Sequence, residues 1–346
     1  MDMTGLVHFL SEHDPQKKAV FGFDAFIDRI GRQASGLGDG PIDSVSAFSQ
    51  RLKERGNKSG TVFLESIEES VGGNAPNTAM TLGSLGGQVH CICAAGYPRI
   101  RDVFHSLAKK CDILTYAEPG SCLAVEMGQS KLFFAGNGEM ESVTWEEMLQ
   151  RTGKDQLLRL YAGADLIGLF NWGEIRATQC IWEGLLRDIL AVLPRRNRAF
   201  FFDFSDISAR SAEDVRCLKD SLKRFRKYGK VYVSANQLEA RLLDGEELVR
   251  NGMADVFITH GKTGASMITA ESCCTLPTRY LEAPLRLTGG GDSFNAGFCY
   301  GLLMDLPEEN CLMLANAAAG CLIRTDEYPD KAALVCELEA SKALWV

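Results

Sequence analysis

The stretch Leu287-Thr-Gly-Gly-Gly-Asp-Ser-Phe-Asn-Ala-Gly-Phe298 decides how this chain is read. Beyond Gly291, Phe294, Phe298 and Leu302 recur every four positions, the spacing of one buried helix face. Three glycines therefore run straight into a helix N-terminus, with the helix predicted over Ser293–Met304. The first amides of a helix have no intrahelical partner, and with the positive end of the helix dipole they form an anion site. Glycine lets an oxyanion approach the backbone with no Cβ in the way. Asp292 stands at the helix start, where its carboxylate can take a proton from an attacking hydroxyl or cap the helix.

A second glycine pair enters a helix at Val71-Gly-Gly-Asn-Ala-Pro-Asn-Thr-Ala79. Asn74 and Asn77 lie three apart and share one side of its first turn. Each amide both donates and accepts, which suits a polyhydroxylated ligand as well as it suits a helix cap. Further upstream, Phe21-Gly-Phe-Asp-Ala-Phe-Ile-Asp28 closes a strand with two carboxylates, Asp24 and Asp28. Ligands of open α/β sheets bind at the carboxyl ends of the strands, although such residues also make plain loops.

Around these segments, short β-branched and aromatic runs alternate with longer helical patterns. Strands are predicted at Ala19–Phe23, Val89–Ala94, Leu166–Phe170, Ala199–Asp203, Val231–Ser234, Val256–Thr259 and Ala265–Ile268. Helices are predicted near Ala75–Leu85, Val103–Lys110, Ala177–Val192, Ala212–Lys227, Leu238–Leu243, Pro307–Ile323 and Lys331–Leu344. Ala199-Phe-Phe-Phe-Asp203 is apolar on both faces, as a central strand of a covered parallel sheet must be. The alternation makes the chain an α/β protein with helices on both faces of its sheet. Two regions break the rhythm: a helix over Ile42–Arg55 followed by a strand at Thr61–Ser66, and a hairpin of Ser121–Met127 and Lys131–Ala135 about Gly128-Gln129. Both are assigned to a small β-rich appendage.

The 346 residues carry 37 basic and 45 acidic side chains, a formal charge of −8, which speaks against a general nucleic-acid binder. No apolar run reaches the length of a membrane span, and Met1–Lys18 lacks the apolar core of a signal peptide. Twelve cysteines without C-x-x-C spacing read as reduced thiols of a cytoplasmic protein. Walker A, G-x-G-x-x-G and G-x-S-x-G patterns are all missing.

Together the quoted segments resemble the ribokinase-like (PfkB) carbohydrate kinases. That family carries an early acidic sugar contact, then G-G-x-x-x-N, N-x-x-E, T-x-G-x-x-G and D-T-x-G-A-G-D. The matching stretches here are Asp28, Gly72-Gly-Asn-Ala-Pro-Asn77, Asn236-Gln-Leu-Glu239, Thr259-His-Gly-Lys-Thr-Gly264 and Arg286-Leu-Thr-Gly-Gly-Gly-Asp292. The resemblance spans nearly the whole chain and keeps the family order. It implies one three-layer α/β/α domain over 1–346, with a mostly parallel central sheet and a β-rich lid inserted at about 29–70 and 112–142.

It also implies roles. Asp292 matches the catalytic base, and Gly289, Gly290 and Gly291 the anion hole. Asp28 and Asn77, with Asp24, Gly72, Gly73 and Asn74, would hold a sugar-like acceptor. Asn236 and Glu239 would organise Mg²⁺ through its water shell, a task for oxygen ligands. Thr259, Gly261 and Gly264 would border the phosphates of ATP. Asn316, in Ala315-Asn-Ala-Ala-Ala-Gly320, would face adenine, or else belong to close helix packing.

The chain also departs from the pattern. Arg286 replaces the first aspartate of the last motif, and its fixed charge argues against a bound monovalent cation. The segment from Asp28 to Gly72 is long, so the lid is enlarged, and its open sheet edges suit pairing with a second copy. The added Asp24 resembles ADP-dependent sugar kinases. The expected activity is ATP-dependent phosphorylation of a sugar hydroxyl. The alternatives are a nucleoside kinase, with Phe48, Phe63 and Phe133 as an apolar slot or as lid core, an ADP-dependent sugar kinase, or a non-catalytic sugar- or nucleotide-binding regulator.

Overall fold

A strand with apolar residues on both sides must be covered on both sides, and that requirement organises the molecule. The computed structural model describes residues 1–38, 40–128, 130–286 and 288–345; Gln129 of the expected hairpin and Leu287 of the glycine-rich segment lie outside the described residues. In chain order the strands begin with β1 (Lys18–Phe23), β2 (Phe26–Gly36), β3 (Val62–Gly72), β4 (Gln88–Cys93), β5 (Asp112–Thr115), β6 (Gly120–Met127) and β7 (Ser130–Gly136). They continue with β8 (Leu166–Phe170), β9 (Ala199–Asp203), β10 (Lys230–Asn236), β11 (Val256–Gly261), β12 (Gly264–Thr269) and β13 (Cys273–Pro277).

Nine of them form one sheet in the order β13-β12-β11-β10-β9-β8-β1-β4-β5, in which only β12 runs antiparallel to its neighbours. On alternate sides of β9, Phe201 meets Phe298 at 5.9 Å between ring centroids, while Phe202 meets Trp182 at 5.3 Å and Phe225 at 5.2 Å. The period-two alternation of a strand thus covers both faces, one with helix Gly290–Leu303 and the other with helices Thr178–Gly184 and Ala212–Phe225. The α/β architecture expected from sequence is present.

The remaining strands form a separate four-stranded sheet, β3-β2-β6-β7, with its own small cluster of Ala34, Ile42, Val125 and Met127. Helix Val45–Arg55 packs Val45 and Phe48 against that cluster. Phe63 and Phe133, expected in its core, are 63% and 49% exposed instead. The segment following Asp24, expected as a loop, is the eleven-residue strand β2, so Asp28 sits on a strand. Residues 112–115, expected in the lid, pair instead with β4 at the edge of the main sheet, which takes up a strand of only four residues. β13 is a further strand that the sequence pattern does not predict; it ends on Pro277, a residue that an edge strand tolerates.

Parallel register aligns the strand ends. Ser234 of β10 and Phe170 of β8 both pair with Asp203, and Asn236 pairs with His260. Asp24, Asn171, Asp203, Asn236 and His260 therefore stand along one end of the sheet, the end where α/β folds bind ligands. Among the described residues, no helix is long and apolar enough to cross a membrane.

Candidate active site

The glycine-rich segment does what its spacing predicted. Gly289 takes φ +82°, a left-handed conformation that glycine adopts without strain, and the helix Gly290–Leu303 starts directly after it. No side chain among the described residues caps that helix, so its first amides keep their donors open. Gly290 and Gly291 line a cavity of about 300 Å³, with His260, Phe294, Asn316 and Ile323 among the other walls. That volume lies at the small end of ligand sites, about 300–1,000 Å³.

Asp292 sits in the first turn of the same helix, half-buried. Burial pushes its acid well above the ordinary carboxylate range, and the like charges of Asp203 and Asp24 push the same way. The Asn77 amide and the Arg286 guanidinium pull it back. A carboxylate held between these influences takes up a proton more readily than a solvated one does.

On the other side lies the Asn74–Ser84 helix, entered through Gly73 at φ +98°. Asp24 is the anchor of that helix. Its Oδ2 accepts from the amide of Asn74 at 2.7 Å and from Asn171 Nδ2 at 3.1 Å, and its Oδ1 accepts from the amide of Ala75 at 2.9 Å. Asn74 Oδ1 accepts from the Ser205 hydroxyl at 2.9 Å, and Asn77 Oδ1 from the Tyr328 hydroxyl at 2.9 Å. Gly72 packs directly on the Asp28 carboxylate, where a Cβ would collide. Burial and then Asp24 raise the Asp28 acid to about 6, against the pull of Arg286 and Lys131. Asp28 takes no hydrogen bond from the described residues, so its oxygens are available to a ligand.

Asn236 and Glu239 first serve their own helix, Gln237–Leu243. Asn236 Oδ1 accepts from the amides of Leu238 and Glu239 at 2.8 and 3.0 Å, while Glu239 accepts from the Asn236 amide at 2.9 Å and from Asn236 Nδ2 at 2.5 Å. This reciprocal arrangement is a capping box. Burial raises the Glu239 acid to about 8, with Asp203, Asp206 and Glu174 adding to the rise. Among the described residues no group of three or more acidic, histidine or cysteine side chains is close enough to grip a metal directly. Glu239, raised by burial and by the nearby carboxylates Asp203, Asp206 and Glu174, offers the oxygen chemistry that a hydrated Mg²⁺ takes.

Thr259 and Gly264 lie on the paired strands β11 and β12 and are not among the residues lining the cavity, whereas Gly261 is. Asn316 is buried, its Nδ2 3.5 Å from the Leu276 carbonyl, and it faces the same cavity. The small residues beside it also serve close packing: a Cβ on Gly297 would stand 2.5 Å from the Leu314 carbonyl and 2.8 Å from Ala315 Cα.

A model of the prokaryotic ketohexokinase family matches residues 7–340. The chain belongs to that family. It is a carbohydrate kinase, a phosphotransferase with an alcohol group as acceptor. Ketohexokinase of Haloferax volcanii is 25% identical over 332 residues, covering 90% of this chain and 88% of that protein. Ribokinase of Bacillus subtilis is 34% identical over 92 residues, 25% of this chain and 31% of its own length. Among solved structures, ribokinase of Thermotoga maritima superposes with a TM-score of 0.65 at 16% identity, covering 94% of this chain and 98% of that one. Adenosine kinase of Sinorhizobium meliloti gives 0.66 at 17%, covering 94% and 99%. Both likenesses concern the ribokinase fold.

Several residues of this prokaryotic ketohexokinase family member carry the site without having been singled out in the sequence. Asp203 accepts from Asn295 Nδ2 at 2.6 Å and from the Ser205 amide at 2.9 Å, and is one of the charges raising both Asp292 and Glu239. Its only sequence signal is a carboxylate closing an all-apolar strand. The His260 ring lies tilted by 31° against Phe294, 4.7 Å between centroids, and burial lowers its acid to about 4, so the ring is neutral. Its Nε2 is buried with no partner among the described residues. Tyr328 lies in no recognised motif, and nothing in the local sequence marks it.

Proposed function

We propose that this carbohydrate kinase transfers the γ-phosphoryl group of ATP to a hydroxyl of a small keto-sugar. Asp28 and Asn77, with the unpaired amide nitrogen of Asn74, position the acceptor. Asp24 and Gly73 fix the helix that presents those asparagines, and Gly72 leaves room for Asp28. The acceptor hydroxyl loses its proton to Asp292 as its oxygen bonds to phosphorus. The open amides after Gly289 receive the charge on the transferring group, and ADP departs. Mg²⁺, held through water by Asn236 and Glu239, would neutralise charge on the phosphate oxygens. The residues around the cavity of His260, Gly261 and Asn316 would take the rest of the nucleotide. Such catalysis is mainly positioning and electrostatic stabilisation.

The observation that carries this reading is the position of Asp292. It stands in the first turn of the helix whose glycine start lines the 300 Å³ cavity, and the Asn77 amide is among the groups that hold its acid down. The family match and the relative covering 90% of the chain support the choice of a keto-sugar. The test is a phosphorylation screen of ketohexoses, aldohexoses, pentoses, sugar acids and nucleosides with ATP or ADP as donor. Turnover of a ketohexose with ATP is expected; turnover of nucleosides alone, or with ADP alone, overturns the reading. Asp292→Asn should keep the fold, with a melting temperature no lower than that of wild type, keep nucleotide affinity, and lose about 10²–10⁴-fold in kcat. Wild-type turnover in that variant removes Asp292 as the base.

A further inference from the structure

The amides of Gly289, Gly290, Gly291 and Asp292 have no acceptor among the described residues. Those of Gly290, Gly291 and Asp292 are aimed by the helix that they begin. Gly289 precedes the helix, and its amide belongs to the peptide that joins it to Thr288. Glycine has no Cβ to forbid either orientation of that peptide, so the choice falls to what the Thr288 carbonyl meets.

It meets Arg286, whose Nε donates to the Thr288 carbonyl at 2.9 Å. The other arms of the guanidinium are held too. Nη2 donates to the Tyr328 hydroxyl at 3.3 Å, Nη1 lies 3.6 Å from an Asp326 oxygen, and the group lies over the Tyr328 ring, 5.1 Å from its centroid. The backbone is anchored as well, since the amides of Leu285 and Arg286 reach the Ile323 carbonyl at 2.9 and 3.5 Å. Ile323, Asp326 and Tyr328 stand at and just beyond the end of helix Glu308–Thr325, which packs against the helix that carries Asp292. In a trans peptide the carbonyl and the amide hydrogen point in opposite directions. With the Thr288 carbonyl turned to Arg286, the Gly289 amide is turned away from it and left open.

We propose that Arg286 is a positioning residue for the anion hole: through Nε it fixes the Thr288–Gly289 peptide so that the Gly289 amide joins those of Gly290 and Gly291 in receiving the transferring phosphoryl group. Released from Arg286, the peptide can turn over and set a carbonyl oxygen where a donor stood, against the charge of the phosphate. Arg286 lines the same cavity as Gly290 and Gly291. The inference rests on the phosphoryl group meeting the glycine turn, as in the reaction proposed above.

The test separates the Nε bond from the charge. Glutamine carries a nitrogen donor on Cδ, where arginine has Nε, but no charge; lysine keeps the charge and puts a methylene there. Arg286→Met should lose about 10- to 100-fold in kcat. Arg286→Gln should stay within about fivefold of wild type, while Arg286→Lys should fall to within about threefold of Arg286→Met. Acceptor KM should move less than about threefold throughout, since no acceptor contact is removed. Calorimetry with MgADP and aluminium fluoride, a stand-in for the transferring phosphoryl group, should show affinity falling in the same order, with ADP alone bound alike by wild type and variants. Arg286→Gln and Arg286→Lys carry the comparison should Arg286→Met fail to fold. Arg286→Lys at the wild-type level, all three variants equally impaired, or wild-type kcat in Arg286→Met overturns the clamp. If the wild type phosphorylates no sugar with ATP, the reading of the reaction fails and the clamp fails with it.

Discussion

Asp28 is the residue on which stability and function pull apart. It is held against Gly72 with its acid raised from 3.8 to about 6, chiefly by burial and secondly by Asp24. A carboxylate raised in the folded state is a penalty once it ionises. Between the unfolded and folded values the native protein holds the proton more tightly, so stability falls as pH climbs from about 4 to 6, and the whole penalty is present above that. Asp28→Asn removes it. Urea denaturation should find the variant about 1–2 kcal/mol more stable at pH 8, after allowing for partial solvent screening, and equal to wild type near pH 4. The same change takes away a charged acceptor for sugar hydroxyls, worth about 1.5–3 kcal/mol, so acceptor KM should rise roughly 10- to 100-fold. A wild-type KM would remove Asp28 from the acceptor site, and lower stability at pH 8 would show that its charge is compensated.

At the scale of elements, the helix that begins with the glycine loop is held by its own small residues. Gly297 lies against the backbone of Leu314 and Ala315, and a Cβ on Gly301 would stand 2.6 Å from Cys311 Sγ. Gly297→Ala must push helix Gly290–Leu303 away from helix Glu308–Thr325, because backbone cannot give way as a side-chain end can. We expect a loss of about 1–3 kcal/mol in urea denaturation. A fall in kcat should accompany it, since the same helix carries Asp292. Equal stability would mean that the two helices can separate freely.

This element also shows what the sequence makes legible. Phe294, Phe298 and Leu302 announce the helix through their period, and the glycines before them announce its uncapped start. The small-residue face was ambiguous because Ala and Gly serve a ligand and a neighbouring helix equally well, and here they do both: Gly297 touches Ala315, while Asn316 and Gly320 line the cavity. β2 escaped notice because Ile27-Asp-Arg-Ile-Gly-Arg mixes charge and glycine, and its partners β3 and β6 lie far along the chain. The hydrogen bond from Tyr328 to Asn77 is hidden for the same reason: the two residues are 251 apart in sequence, and only folding brings them together.

The whole molecule is two bodies of unequal strength. The nine-stranded sheet shares one continuous core with its helices, whereas the small sheet relies on four buried residues and helix Val45–Arg55. β2 follows β1 after only Asp24 and Ala25, and β3 leads straight into Gly73, so the small sheet is tethered on both sides of Asp28 and the Asn74–Ser84 helix. A unit with few buried contacts opens more easily than the body it is attached to. We propose that this small sheet is the lid: its tethers lie beside the proposed acceptor contacts Asp28 and Asn77, so that it would close over the sugar and keep water from the transferring phosphoryl group. In hydrogen exchange, the amides of β6 and β7 should exchange at least about tenfold faster than those of β8 and β9 in the free protein. A phosphorylatable keto-sugar should slow them selectively, while ATP alone should leave them nearly unchanged and protect β11 and the Gly290–Leu303 helix instead. Equal protection of both bodies by either ligand would mean that the small sheet is a fixed wall of the site and does not close on the acceptor.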